Sequence, residues 1–136
     1  MKYFVLFIVL LISQMIIGQK SPLTNRLLKT KHLIALWDFK EPKGEKRNSL
    51  LGPYELSEMD GQIERMEEGP LSGYSAKFGT GAYLSLHNTQ TGLLNIHGAA
   101  QGVTVAAWVK WTGETTGFVG GMWNEYLDGG KRQYGL

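Results

Sequence analysis

Cysteine is absent from all 136 residues. That excludes a disulfide framework, thiolate metal sites and a lipidated cysteine, so the fold must rest on its core alone. Neither sign of charge dominates: 14 Lys and Arg stand against 12 Asp and Glu. A balance this close to neutral argues against a nucleic-acid partner, which needs a basic stripe to neutralise phosphates. Charged residues make up 19% and apolar residues 43%, which excludes both a disordered chain and a multi-span membrane protein. What is plentiful is glycine, with 18 residues, accompanied by four tryptophans. Together they point to a β-rich, turn-rich domain.

The first residues form a separate unit. Met1 and Lys2 precede the apolar run YFVLFIVLLI, followed by Ser13, Gln14, three more apolar residues and Gly18. One cation, an apolar run of about ten residues and a small residue at the exit make the layout of a secretory signal peptide. Residues 1–18 are therefore expected to be removed, with Gln19 as the new N-terminus. The alternative, an uncleaved anchor, has only residues 3–17, broken by Ser13 and Gln14, where a spanning helix wants roughly 20. No transmembrane span is expected after cleavage. Export without cysteine suits a secreted, extracellular or cell-envelope protein of bacterial type. The remaining chain is one domain's worth of sequence and long enough to bury about two-thirds of its unfolded surface.

Residues 19–32 are polar and basic and read as a linker or a loosely attached first turn. LIALWDF (33–39) has largely apolar faces on both sides, which predicts a strand between two layers. Pro42, Gly44, Gly52 and Pro53 mark a surface loop over 40–53. Strand-like pieces follow near 54–56 and 62–66, where Gly61, Gly69 and Pro70 cut short any helix. YSAKF (74–78) and AYLSL (82–86) flank Gly79-Thr80-Gly81 and predict either a hairpin or one sharply kinked strand. A polar loop spans 87–102, with LLNI at 93–96 as a short strand or helical turn. VTVAAWVKW (103–111) has the clearest alternation: Val103, Val105, Ala107, Val109 and Trp111 share one face, and Thr104, Ala106, Trp108 and Lys110 the other. FVGGMW (118–123), a turn at Asp128-Gly129-Gly130 and RQYGL complete the pattern. Short strands separated by turn signals predict an all-β antiparallel sandwich.

In order, W-D-F, K-F-G-T-G-A-Y-L-S-L, V-T-V-A-A-W-V-K-W, F-V-G-G and Q-Y-G-L resemble the laminin-G-like, concanavalin A-type lectin/glucanase jelly-roll domain of secreted bacterial proteins. The resemblance covers residues 33–136. In such domains the stretch matching 103–111 lies in the first half, with several strands after it. The resemblance therefore implies that this chain carries only the N-terminal part of a jelly roll, as a fragment or truncated product.

Aromatic residues carry the binding expectation. The apolar face of a sugar ring stacks on an indole or phenol while nearby amides take its hydroxyls. Trp108, with Thr104 and Lys110 beside it, fits such a platform, unless a loop or the second sheet covers it. Trp123, with Asn124, Glu125 and Tyr126, sits at a loop edge, as a ligand contact or as rim packing. Trp37 and Trp111 alternate with aliphatic residues and are expected in the core. Trp108, Trp123, Asn124 and Tyr126 are thus the candidate ligand-binding residues, for a glycan or an extracellular protein.

Catalytic residues are not expected. Some hydrolases on this scaffold carry E-x-D-x-x-E, which is missing here, and Glu125 and Asp128 would point to opposite sides of a strand. Retaining glycosidases need their carboxylates about 5–5.5 Å apart, whereas Glu64, Glu67 and Glu68 read as a solvated face. Calcium is possible through Asp38, Asp60, Asn88, Asn124 and Asp128, although no D-x-D-x-D-G run gathers them. His32, His87 and His97 lack metal-ligand spacing and read as exposed loop residues. Gly79-Thr80-Gly81 lacks the helix and lysine of a phosphate cradle. The expected function is an exported, non-catalytic recognition module, the alternatives being a structural spacer within a larger secreted protein or part of a glycoside hydrolase.

Overall fold

The computed structural model describes residues 21–98, 100–113, 117–124 and 131–136. The expected leader, residues 1–18, and the expected turn at Asp128-Gly129-Gly130 lie outside the described residues.

Within the segment expected as a linker, Ser21-Pro22 starts a helix for local reasons. The Ser21 hydroxyl accepts from the Thr24 amide at 3.1 Å, and Pro22 occupies the first turn, where its missing N–H costs nothing. The resulting α1 (Pro22–Leu27) is short but fastened. Thr24 is buried and its hydroxyl donates to the Leu71 carbonyl at 2.7 Å.

The predicted strand at 33–39 forms no ladder. Its backbone is tied instead to Ser49 and Leu50. The Leu36 amide donates to Ser49 Oγ at 3.0 Å, and the Leu50 amide donates to the Leu36 carbonyl at 2.7 Å. Phe39, at φ 54°, then takes the left-handed conformation and ends the extended run. Trp37 is half-buried, with its indole N–H donating to the Tyr54 carbonyl at 3.3 Å. Strand β1 (Arg47–Asn48) pairs antiparallel with β2 (Glu55–Met59).

From β2 the chain enters a bent antiparallel ribbon. β2 pairs with β5 (Tyr83–Ser85), and β3 (Ile63–Met66) pairs with β4 (Ser75–Phe78). Met59 faces Tyr83 and Ile63 faces Phe78, so residues 60–62 lie opposite residues 79–82. One strand thus carries one extra residue at the bend, which kinks the ribbon as a bulge does. Gly61 sits at the bend because a Cβ there would stand 2.8 Å from that of Ala82. Of the two readings of Gly79-Thr80-Gly81, the kink is the one observed. A turn closed by the Ala82 amide on the Gly79 carbonyl at 3.1 Å carries the chain from one sheet to the other.

Beyond the ribbon, short 3-10 turns run over Asn88–Gln90 and Gly92–Leu94. Residues 101–113, including the most regular alternation in the sequence, join no ladder. Strand β6 (Gly121–Asn124) pairs antiparallel with β7 (Lys131–Gly135), with an irregularity between Met122 and Trp123. The regular structure is mostly short strands in small antiparallel sheets, with little helix. Among the described residues the buried apolar side chains are Tyr54, Ile63 and Leu71, which places the core under the ribbon and the loop after β3.

Candidate functional site

Trp108 stands on the unpaired stretch and is 58% exposed. Lys110, two residues on, reaches Glu68 at 3.5 Å across an exposed surface. Among the described residues no loop or sheet covers the indole. Trp111, expected in the core, is also open, at 55% exposure. The physical reason is the same for both: with no ladder here and no sheet of described residues facing them, alternation separates the faces but buries neither. Gly117 lies against the Trp111 ring, where a Cβ would come within 2.7 Å of it.

Trp123 is 47% exposed and packs on Phe118, with ring centroids 5.5 Å apart and planes tilted by 51°. The two rings, with Gly117, Gly135 and Leu136, line an open trough. Trp108 and Trp123 are not in ring contact: among the described residues Phe118–Trp123 is the only aromatic pair. Tyr126 and Glu125, and the Asn124 side chain, lie outside the described residues.

A second concavity, a cleft of about 270 Å³, lies between the 96–103 segment and β7. Ile96, Val103 and Tyr134 supply its apolar walls, and His97, Gln101 and Gln133 its polar groups. β7 is held there by two side chains. The Tyr134 hydroxyl donates to the Leu94 carbonyl, and Gln133 Nε2 donates to Asn95 Oδ1, each at 2.7 Å. Burial, and then like-charge repulsion from the Tyr54 phenol group, raise the Tyr134 pKa above the ordinary 10.0, since both disfavour the phenolate. The sequence reading missed this cleft. Its residues come from a polar loop and a strand with no shared period, so only the Q-Y pair of the Q-Y-G-L motif hinted at it.

The charged residues form structural contacts instead. Arg47 is 1% exposed and forms an ion pair with Glu58. Its guanidinium also donates to the Pro42 carbonyl and, at 2.7 Å, to the Glu45 carbonyl. Glu41 is buried and accepts from the Asn48 amide at 3.2 Å. Among the described residues the calcium candidates form no metal-holding group. Asp38 is buried, with Lys40 at 4.0 Å, while Asp60 and Asn88 are exposed elsewhere and Asp128 lies outside the described residues. Among the described residues no group of three or more His, Asp or Glu side chains could hold a metal ion. His32, His87 and His97 are exposed, and Glu64 pairs with Lys77 at 3.3 Å on the surface. No helix among the described residues is long and apolar enough to cross a membrane.

No protein-family model, no curated protein and no solved structure matches this chain.

Proposed function

We propose that the protein is an exported, non-catalytic recognition module of the laminin-G-like, jelly-roll type, whose exposed indoles receive a glycan or protein ligand outside the cell. The observation that supports this reading most directly is the exposure of Trp108 beside Lys110, together with the open Phe118–Trp123 trough. Large aromatic rings left in solvent lose the benefit of burial, and patches of this kind mark interaction surfaces. The signal-peptide layout supports export to an extracellular or envelope location. The test is a glycan array with the parent chain and the Trp108→Ala and Trp123→Ala variants. Binding that each variant weakens at least tenfold supports the reading. Binding untouched by both removes these residues, and a parent chain that binds neither glycans nor an extracellular protein removes the function.

A second reading has its own observation. Val103, Val109, Val119 and Leu136 are exposed as well, aliphatic surface that sugar stacking does not require, and so is the Trp111 ring. That favours a structural spacer whose open faces pack on other strands of a larger secreted protein.

A further inference from the structure

We propose that the cleft between the 96–103 segment and β7 is a binding site for a single neutral sugar ring. This rests on the glycan form of the recognition reading and adds a second place, apart from the indoles, that holds one ring by itself. The cleft shares no lining residue with the Phe118–Trp123 trough, and Trp108 does not line it.

Its chemistry selects the ligand. Among the described residues no Lys, Arg, Asp or Glu lines it, so none of them offsets the desolvation of a phosphate, a carboxylate or an ammonium. The polar groups are two carboxamides and an imidazole, which both donate and accept hydrogen bonds. A polyhydroxylated ring presents that same mixture, and its apolar C–H face suits a wall of Ile96, Val103 and the Tyr134 ring.

Capacity remains on every polar group. His97 and the Gln101 side chain have no protein hydrogen-bond partner among the described residues. Gln133 uses one N–H on Asn95, leaving Oε1 and its second N–H. The Tyr134 hydroxyl donates to Leu94 and can still accept. These two bonds fix Gln133 and Tyr134 in advance, which lowers the entropy lost on binding. At about 270 Å³ the cleft falls just below the ~300–1,000 Å³ of sites for larger ligands, which limits it to one ring at a time.

The test is an NMR titration of the purified chain, nitrogen-labelled so that backbone amides and indole N–H groups report, and with labelled Ile and Val methyl groups, against methyl glycosides of glucose, galactose, mannose and N-acetylglucosamine. The expected result is saturable shifts at the Ile96 and Val103 methyls for at least one glycoside. Gln101→Ala and the cleft-filling Val103→Trp should each weaken binding at least tenfold, with Trp108→Ala changing it less than twofold. Gln101 and Val103 are both exposed, and an unchanged amide spectrum confirms that each variant folds; if Val103→Trp does not, Gln101→Ala alone decides. Shifts confined to the indoles, with cleft variants binding normally, overturn the cleft and leave the recognition reading standing. No shift with any glycoside also overturns the cleft, and the array of longer glycans then judges the wider reading independently.

Discussion

Arg47 illustrates how a charge is carried inside a small domain. Its guanidinium is almost wholly buried, yet Glu58 and the Pro42 and Glu45 carbonyls receive it, so the loop over 42–45 is wrapped around a cation. Removing only one member of such a buried pair leaves the other uncompensated. Arg47→Met is therefore expected to cost about 3–5 kcal/mol, read from urea denaturation. Glu58→Gln, which keeps an acceptor oxygen for Arg47, should cost clearly less. Equal losses would show that the carbonyls contribute nothing. Tyr134 makes a different argument, through pH. Its folded pKa lies above the ordinary 10.0, so an unfolded chain releases this proton first as pH rises. The stability it contributes is complete below about pH 10 and is lost as pH climbs through the folded value. Tyr134→Phe should flatten that alkaline decline and cost about 1 kcal/mol at neutral pH through the lost bond to Leu94. Denaturation curves at pH 8 and pH 10.5 check both, and an unchanged alkaline decline in the variant would refute the assignment.

At the scale of elements, the loop joining β3 to β4 separates two kinds of glycine. Gly73 has φ +83° and open space around it, so Gly73→Ala meets only the left-handed backbone penalty, about 1–2 kcal/mol. Gly69 needs no unusual φ, but a Cβ there would lie 1.9 Å from the Tyr74 carbonyl oxygen, which is backbone and cannot swing away. Gly69→Ala should cost more than Gly73→Ala and loosen the β3–β4 ladder. Chemical denaturation ranks the two, and the reverse order would mean that the loop rearranges freely. The ribbon these glycines serve was legible in sequence. YSAKF, AYLSL and the pieces near 54–56 and 62–66 each became a strand, because short alternating runs between turn residues leave the chain little else to form. LIALWDF and VTVAAWVKW were not read correctly as strands, although their patterns are stronger. Alternation states which side chains could share a face, whereas a ladder requires a neighbour at the right register, and among the described residues neither segment has one. The same gap explains Trp111: its period marked it as a core residue, and its surroundings leave it open. The cleft at Gln101 and Gln133 escaped reading for the opposite reason, since isolated amides carry no period at all.

Across the whole molecule, backbone satisfaction is uneven, and that unevenness is measurable. The ribbon from β2 to β5 has paired amides, and α1 is pinned to it through Thr24. Residues 103–111 have no backbone hydrogen bond to any described residue, while Val103, Trp108, Val109 and Trp111 stand in solvent. Hydrogen exchange should therefore divide the chain in two. Amides of β2–β5 should be protected, and those of 103–111 should exchange at close to the rate of an unstructured peptide, since protection follows the free energy of opening. Protection at alternate amides, such as Val103, Val105, Ala107 and Val109, would mean that a strand has docked on this segment, because an edge strand presents every second amide to its neighbour. Its dependence on protein concentration then identifies the neighbour. Protection that fades on dilution assigns the docking strand to a second copy, and protection that persists assigns it to the same chain. Adding a glycan ligand to the unprotected form separates the two functional readings. Slower exchange confined to the 96–103 segment and β7 favours recognition in the cleft. An open 103–111 segment that becomes protected only within a larger secreted protein favours the spacer, whose apolar faces exist to be covered.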